Sequence, residues 1–415
     1  MELIKSTKQE LAKHAEHKND LEAKPPAEPI VSSLYVHVPF CAHKCVYCAF
    51  YSETPAGNLI DRYIAALIRE MEMAAPNCRL QTVYFGGGTP SLLNCRQWQL
   101  ILQAMDRLGL VGAAEWTVEC NPATISFDKA KLWRDYGVNR VSMGIQSLDD
   151  DLLDRLGRIH SRAMAFRSFD LLRQAGFDNL NLDLMFAIPG QTMTVWRQTL
   201  REAIAMNSEH LSSYEITYEE DTPLFEQLAA GRIGQDDDLA CNMYEEWIAA
   251  AIQAGFVQYE VSNLARHQST APPSIPPSRA CQHNINYWRG GAFFGLGPSA
   301  TTYVGGVRTK NVSNTRLYCG QLEHGHRAVD SSEQLSPLAR AGETAAFGLR
   351  LTAGWPFDLF QQITGFDLRQ EWAADMEQMI RLGYGTADSH HFQLTQRGLR
   401  FADWVAEQFI RIDPS

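Results

Sequence analysis

Cys41-Ala-His-Lys-Cys45-Val-Tyr-Cys48 follows directly on a short apolar run, Leu34-Tyr-Val-His-Val-Pro-Phe40, and the reading of this stretch decides the fold. The run has the β-branched character of a strand, and Pro39 breaks it just before the cysteines begin. Three thiolates within eight residues can hold three irons of a cubic 4Fe-4S cluster, and with no fourth cysteine nearby one iron is left bare. An open coordination position is where a metal site admits a substrate group. Two other readings compete. Free cysteines also serve as core packing residues, and a zinc knuckle would form if His37 or His43 supplied a fourth ligand. The Pro39 break and a glycine-rich turn downstream favour a site over packing.

Outward from this loop, β-branched runs alternate with segments of helical period. Strands are predicted at 34–38, 82–85, 116–119, 140–145, 180–186 and 210–217, with helices at 59–73, 97–108, 127–136, 161–175 and 192–206. Strand and helix in strict turn mean parallel strands with covering helices. Six such units predict an α/β fold, a partial (βα)6 TIM-like barrel with its working residues at the C-terminal strand ends. The motifs fall there. Cys41 follows the first strand and Gly86-Gly-Gly-Thr-Pro90 the second; Glu119 ends the third and Gln146 the fourth; Asp183 lies in the fifth, and Glu215 and Tyr218 lie near the end of the sixth. Consecutive glycines let a backbone approach a ligand closely and turn donors and acceptors towards it. Glu119 and Asp183 can accept from an ammonium or from hydroxyls, Gln146 can do either, and Arg158 can fork onto a carboxylate. Any one of them reads equally well as a solvated or ion-paired rim residue. Together with the cysteine loop they converge on one rim.

With 415 residues the chain exceeds what one core serves, so a large domain plus a smaller one is expected. The net charge of -11 argues against a nucleic-acid surface. No apolar run approaches the ~20 residues of a membrane-spanning helix, which leaves only peripheral membrane contact open. Nine cysteines, three of them clustered, and no apolar signal core lead to the expectation of a cytoplasmic protein with a metal cofactor. The expected organisation is a mobile tail over 1–31, the barrel over 32–265, a Pro/Ser-rich insertion over 266–280, a connection at the barrel edge over 281–335, and a mostly helical, winged-helix-like C-terminal domain over 336–415. Its last segment, 395–409, reads as one amphipathic helix capped by Thr395.

The cysteine loop resembles the signature of the radical S-adenosylmethionine (SAM) superfamily. That resemblance implies that SAM chelates the fourth iron and that an electron from the reduced cluster cleaves it to a 5'-deoxyadenosyl radical. Tyr35-Val-His37-Val-Pro-Phe-Cys41, the glycine turn, Val141-Ser-Met-Gly-Ile-Gln146-Ser, Arg155-Leu-Gly-Arg158-Ile-His and Asn181-Leu-Asp183-Leu-Met-Phe-Ala-Ile-Pro-Gly-Gln-Thr192 resemble the coproporphyrinogen III dehydrogenase group. His283-Asn284-Ile-Asn-Tyr287-Trp288 and the final domain are most similar to its HemW-like haem-chaperone branch.

Carried over, the resemblance implies Cys41, Cys45 and Cys48 on the cluster, and Tyr35, Gly87, Gly88, Thr89, Glu119, Gln146, Arg158 and Asp183 on SAM. It further implies haem as ligand, acceptor haemoproteins as partners, and an electron donor such as flavodoxin or ferredoxin. Phe50 departs from the dehydrogenases, which carry a further cysteine there, and this puts coproporphyrinogen decarboxylation in doubt. His283 is the candidate axial haem ligand, with Tyr287 and Trp288 packing on the macrocycle, while a hydrogen-bonded core anchor is the competing reading. His37 is expected to support the cluster loop. A tetrapyrrole-modifying radical enzyme, either a dehydrogenase or a haem-opening methyltransferase, is the alternative function.

Overall fold

The computed structural model describes residues 30–268 and 275–412. The expected tail over 1–31 lies outside the described residues apart from its last two positions, and so does the middle of the 266–280 insertion. Val31 already opens the first strand and is buried.

Six parallel strands form the barrel wall: β1 (Val31–Val38), β2 (Cys78–Gly87), β3 (Glu115–Cys120), β4 (Arg140–Gln146), β5 (Leu180–Phe186) and β6 (His210–Glu215), each hydrogen-bonded to the next. Two short strands, β7 (Val257–Gln258) and β8 (Asn263–Ala265), extend the β6 edge antiparallel. On the opposite edge β9 (Phe294–Leu296) pairs parallel with β1, so the stretch read as a connection supplies a wall strand. After it, β10 (Thr301–Val304), β11 (Val307–Asn311) and β12 (Val329–Gln334) make a separate antiparallel sheet.

The strands are built by period-two alternation. On β1, Leu34, Val36 and Val38 are fully buried against the covering helices, while Tyr35 and His37 alternate with them and face the barrel interior, where they pack on Tyr84 and Gly87. The outer layer is apolar and aromatic, with Trp98, Trp116, Trp133, Trp196 and Trp247 fully buried. Truncating such a side chain costs about 3–5 kcal/mol.

The covering helices start where the sequence supplies a cap. The side chains of Asn94, Ser126, Asp149, Ser161, Thr192, Thr222 and Asp236 each accept from a backbone N–H in the following first turn. Each cap contributes about 1 kcal/mol and fixes where the strand-to-helix loop ends.

The C-terminal domain has its own core around Trp355, Phe360, Trp372 and Phe392. A small antiparallel sheet, β13 (Trp355–Pro356), β15 (His391–Leu394) and β14 (Gly385–Ala387) in that order, packs with its helices. The single final helix expected over 395–409 is two. Thr395 does cap the first, Gln396–Arg400, but Phe401 leaves helical geometry (φ -112°, ψ 30°) before Ala402–Phe409 begins. The domain sits against the β7–β8 edge of the barrel and the segment ending at Arg289: Glu260 bridges to Leu351, Arg289 donates to the Gly354 carbonyl at 2.7 Å, and the Arg350 guanidinium lies 5.0 Å from the Trp288 ring.

Candidate functional site

The cysteine loop is pinned at both ends. Glu53 N donates to the Pro39 carbonyl (2.8 Å) and Cys41 N to the Glu53 carbonyl (3.1 Å), which closes the loop on itself. Gly88 N donates to Val38 O and Thr89 N to Phe40 O, both at 2.8 Å, which ties the start of the loop to the glycine turn. A side chain at Gly88 would meet Val38 O at 2.7 Å, and one at Gly87 (φ +100°) would meet the His37 ring at 2.5 Å, so both positions require glycine. His37 holds the other end: its Nε2 pairs with the Tyr51 carbonyl at 2.9 Å and its Nδ1 with Tyr35 Oη at 3.2 Å. Burial lowers the His37 pKa and keeps it neutral. It supports the loop, and neither nitrogen is left for a metal.

One cavity at the barrel mouth is lined by Cys41, Cys45, Cys48, Gly87, Gly88, Thr89 and Arg158, and also by Tyr47, Ser52, Asn121 and Thr124. Each cysteine sulfur has at least one donor from the protein. The Thr89 hydroxyl is 3.5 Å from Cys41 Sγ, Arg158 Nη1 is 3.6 Å from Cys45 Sγ, and the Phe50 backbone N–H lies on Cys48. Among the described residues no three His, Cys, Asp or Glu side chains converge as they would on one metal ion. A mononuclear tetrahedral site needs its sulfurs drawn together around ~2.3 Å bonds, whereas a cubic cluster takes one thiolate per iron. Three thiols spaced around one cavity, each with a donor, therefore fit the polynuclear group.

The remaining predicted residues divide by depth. Gln146 ends β4 with φ +65° in the left-handed region, an uncommon conformation for a side-chain-bearing residue and a mark of local constraint at a strand end. Glu119 sits beneath the glycine turn, accepting from Tyr84 Oη (2.8 Å) and from the Gly87 N–H. Burial raises its pKa to about 7 and the nearby Asp183 charge adds to the rise, while those two hydrogen bonds and Arg140 oppose it. Asp183 is deeper, held by Ser142 Oγ and Asn181 Nδ2, both at 2.8 Å, and burial raises it too. Tyr35 stacks on Tyr84 with ring centroids 6.2 Å apart.

Arg158 is already engaged. Its Nη2 donates to the Gly144 carbonyl at 2.6 Å and its Nη1 faces Cys45, so only the buried Nε lacks a partner. The glycine turn differs from expectation in a similar way. The N–H groups of Gly87, Gly88 and Thr89 are spoken for, and the Thr89 carbonyl accepts from Leu92 N at 2.9 Å.

His283 lies at the opposite end of the barrel, 1% exposed. Its helix, Gln282–Trp288, starts on Glu115, whose two carboxylate oxygens accept from Gln282 N and His283 N, both at 2.9 Å. Thr82 donates its hydroxyl proton to Ser33 and so accepts from His283 Nδ1–H at 2.9 Å. The lone pair is thereby on Nε2, which accepts from Tyr287 Oη at 2.8 Å. The ring stacks on Tyr84 (5.2 Å), and burial, with the Arg140 charge, lowers its pKa to about 3. In this state His283 is a core anchor with both nitrogens paired, and Trp288 contacts the C-terminal domain through Phe347 and Arg350.

Sequence reasoning missed Ser52, Asn121, Thr124 and Glu115. Asn121 and Thr124 follow β3 and obey the strand-end rule that found the rest; Glu115, at the start of a strand, carried no such signal.

Residues 35–203 match the radical SAM superfamily and residues 335–401 the HemN C-terminal domain. The chain is 33% identical over 386 residues to the heme chaperone HemW of Escherichia coli (strain K12), covering 91% of this chain and 98% of that protein. It is 30% identical over 384 residues to the heme chaperone HemW of Lactococcus lactis, covering 92% and 98%. The solved structure of coproporphyrinogen III oxidase (HemN) from Escherichia coli superposes with a TM-score of 0.77 at 21% identity, covering 94% of this chain and 91% of that one, a likeness of fold. With identity of 30% or more sustained over nearly the full length of both chains, this chain belongs to the HemW family within the radical SAM superfamily.

Proposed function

We propose that this protein is a HemW-like haem chaperone that binds a 4Fe-4S cluster, SAM and haem, and passes haem to acceptor haemoproteins. The observation that carries the reading is the cavity at the C-terminal strand ends, where Cys41, Cys45 and Cys48 meet the glycine turn and Arg158. The three cysteines hold the cluster. The glycine turn, Glu119, Gln146 and the other residues carried over from the family contact SAM. When bound, the cluster supplies the electron that SAM cleavage requires; a flavodoxin- or ferredoxin-type donor is the proposed reductant. Phe50, 71% exposed on the rim where the dehydrogenase branch carries a further cysteine, supports a carrier over a decarboxylase.

His283 is the proposed haem ligand, on conditions the geometry makes definite. Its low pKa keeps the imidazole neutral across the physiological range, as an iron ligand must be, and Thr82 fixes the tautomer that leaves the Nε2 lone pair for iron. That lone pair is occupied by Tyr287. Haem loading therefore requires Tyr287 to release it and the helix to part from its packing. A haem titration of wild type against H283A and Y287F tests this. Loss of the ligand-specific Soret position in H283A and tighter binding in Y287F are expected, while identical spectra and affinity in all three would exclude this ligand.

A further inference from the structure

Once each cysteine sulfur has been assigned a donor, two buried donors of residues lining the cavity are left without a partner, Arg158 Nε and the Ser52 hydroxyl, and of these the hydroxyl belongs to the cysteine loop's own closing segment. Thr89 serves Cys41, Arg158 serves Cys45 and the Phe50 backbone N–H serves Cys48. Ser52 lines the same cavity, its hydroxyl oxygen is shielded from solvent, and it has no hydrogen-bond partner in the protein. A buried hydroxyl without a partner costs about 1–3 kcal/mol. The fold holds it there from two sides: the neighbouring Tyr51 carbonyl is fixed by His37 and the Tyr51 hydroxyl by Thr315, and Glu53 closes the loop on Pro39. The position is set by the loop's closure rather than by any contact of Ser52 itself.

We propose that Ser52 donates its hydroxyl hydrogen to an inorganic sulfide of the cluster and thereby sets the cluster's reduction potential. Hydrogen bonds to the sulfurs are among the determinants of iron–sulfur potentials, since they stabilise the more negative, reduced state. Ser52 is a positioning and tuning residue; it is not a cluster ligand. The inference rests on the proposed cluster at Cys41, Cys45 and Cys48.

The test is EPR-monitored redox titration of anaerobically reconstituted wild type, S52A and S52T, with iron and sulfide counted in each. The expected result is a full cluster in all three, a lower midpoint potential in S52A, and a potential near wild type in S52T, which keeps the hydroxyl. An unchanged potential in S52A overturns the proposal, and so does an equal shift or equal loss of cluster in S52A and S52T, which marks a packing residue. A shift in S52A seen only after SAM is added assigns the hydroxyl to the nucleoside and overturns the sulfide assignment. Failure of wild type itself to assemble a cluster sinks the cluster reading and this inference with it, and is distinguishable because it precedes any comparison of variants.

Discussion

At the mouth of the barrel the chain keeps polar groups unpaired and backbones in uncommon conformations; around the His283 ring at the floor the groups that hold it are paired. Gln146 and Ala187 take positive φ at the ends of β4 and β5, and the Ser52 hydroxyl and Arg158 Nε have no partner in the protein. Around His283, by contrast, both ring nitrogens, the Glu115 carboxylate and the Thr82 hydroxyl are all engaged. Both ends contain residues that the sequence marks as ligand-binding. The difference teaches that the mouth already offers free groups to the proposed ligands, whereas the floor must be opened before His283 can take one.

The comparison can be broken in four ways, taken from the largest effect down. Replacing Cys41, Cys45 or Cys48 with Ala should abolish the cluster, read as loss of bound iron and sulfide, while the far-UV circular dichroism stays native; a variant that retains full iron and sulfide would contradict the mouth's assignment. At the floor, E115A strands the buried His283 N–H and removes the partner of the half-buried Gln282 N–H, and at about 1–3 kcal/mol for a buried unsatisfied group it should lower the urea midpoint clearly. An unshifted midpoint would mean that the floor is not held as described.

A third test uses pH. An ammonium that pairs with Glu119 needs the carboxylate ionised. With a pKa raised to about 7, SAM affinity should fall as pH drops through that value, by about tenfold per unit once protonation dominates. Equilibrium binding from pH 5.5 to 8.5 checks it, and E119Q should bind weakly with a flat profile. The smallest effect is expected for Y84F, which removes a hydrogen bond that lowers the Glu119 pKa. The midpoint of the same SAM profile should move to higher pH; movement to lower pH would reverse the sign of the argument.

Much of this was legible in the residues. The six wall strands are found where β-branched runs predicted them, because alternation and capping residues are local signals: Leu34, Val36 and Val38 mark one face, and Ser126, Ser161 and Thr192 mark helix starts. The strand-end rule brought the cysteines, the glycine turn and Arg158 to one cavity. What escaped depends on distant contacts. Only three residues of β9 pair with β1, too short a run for a period to show. The split at Phe401 leaves the apolar pattern of the last segment intact, so the pattern alone could not reveal it. Glu115 caps a helix more than 160 positions away, and nothing near it announces that role. Likewise, the pairing of His283 with Thr82 joins residues from separate parts of the chain, so neither the haem-ligand reading nor the core-anchor reading could be decided from the motif.

The most direct test of the chaperone account is a transfer measurement. The reconstituted protein is loaded with haem in the presence of SAM and a reductant, mixed with an apo-haemoprotein acceptor, and separated from it; the tetrapyrrole in each fraction is then identified by mass. The account predicts chemically unchanged haem leaving this protein and appearing on the acceptor. Haem that is converted to a new tetrapyrrole, or that never leaves, would contradict it.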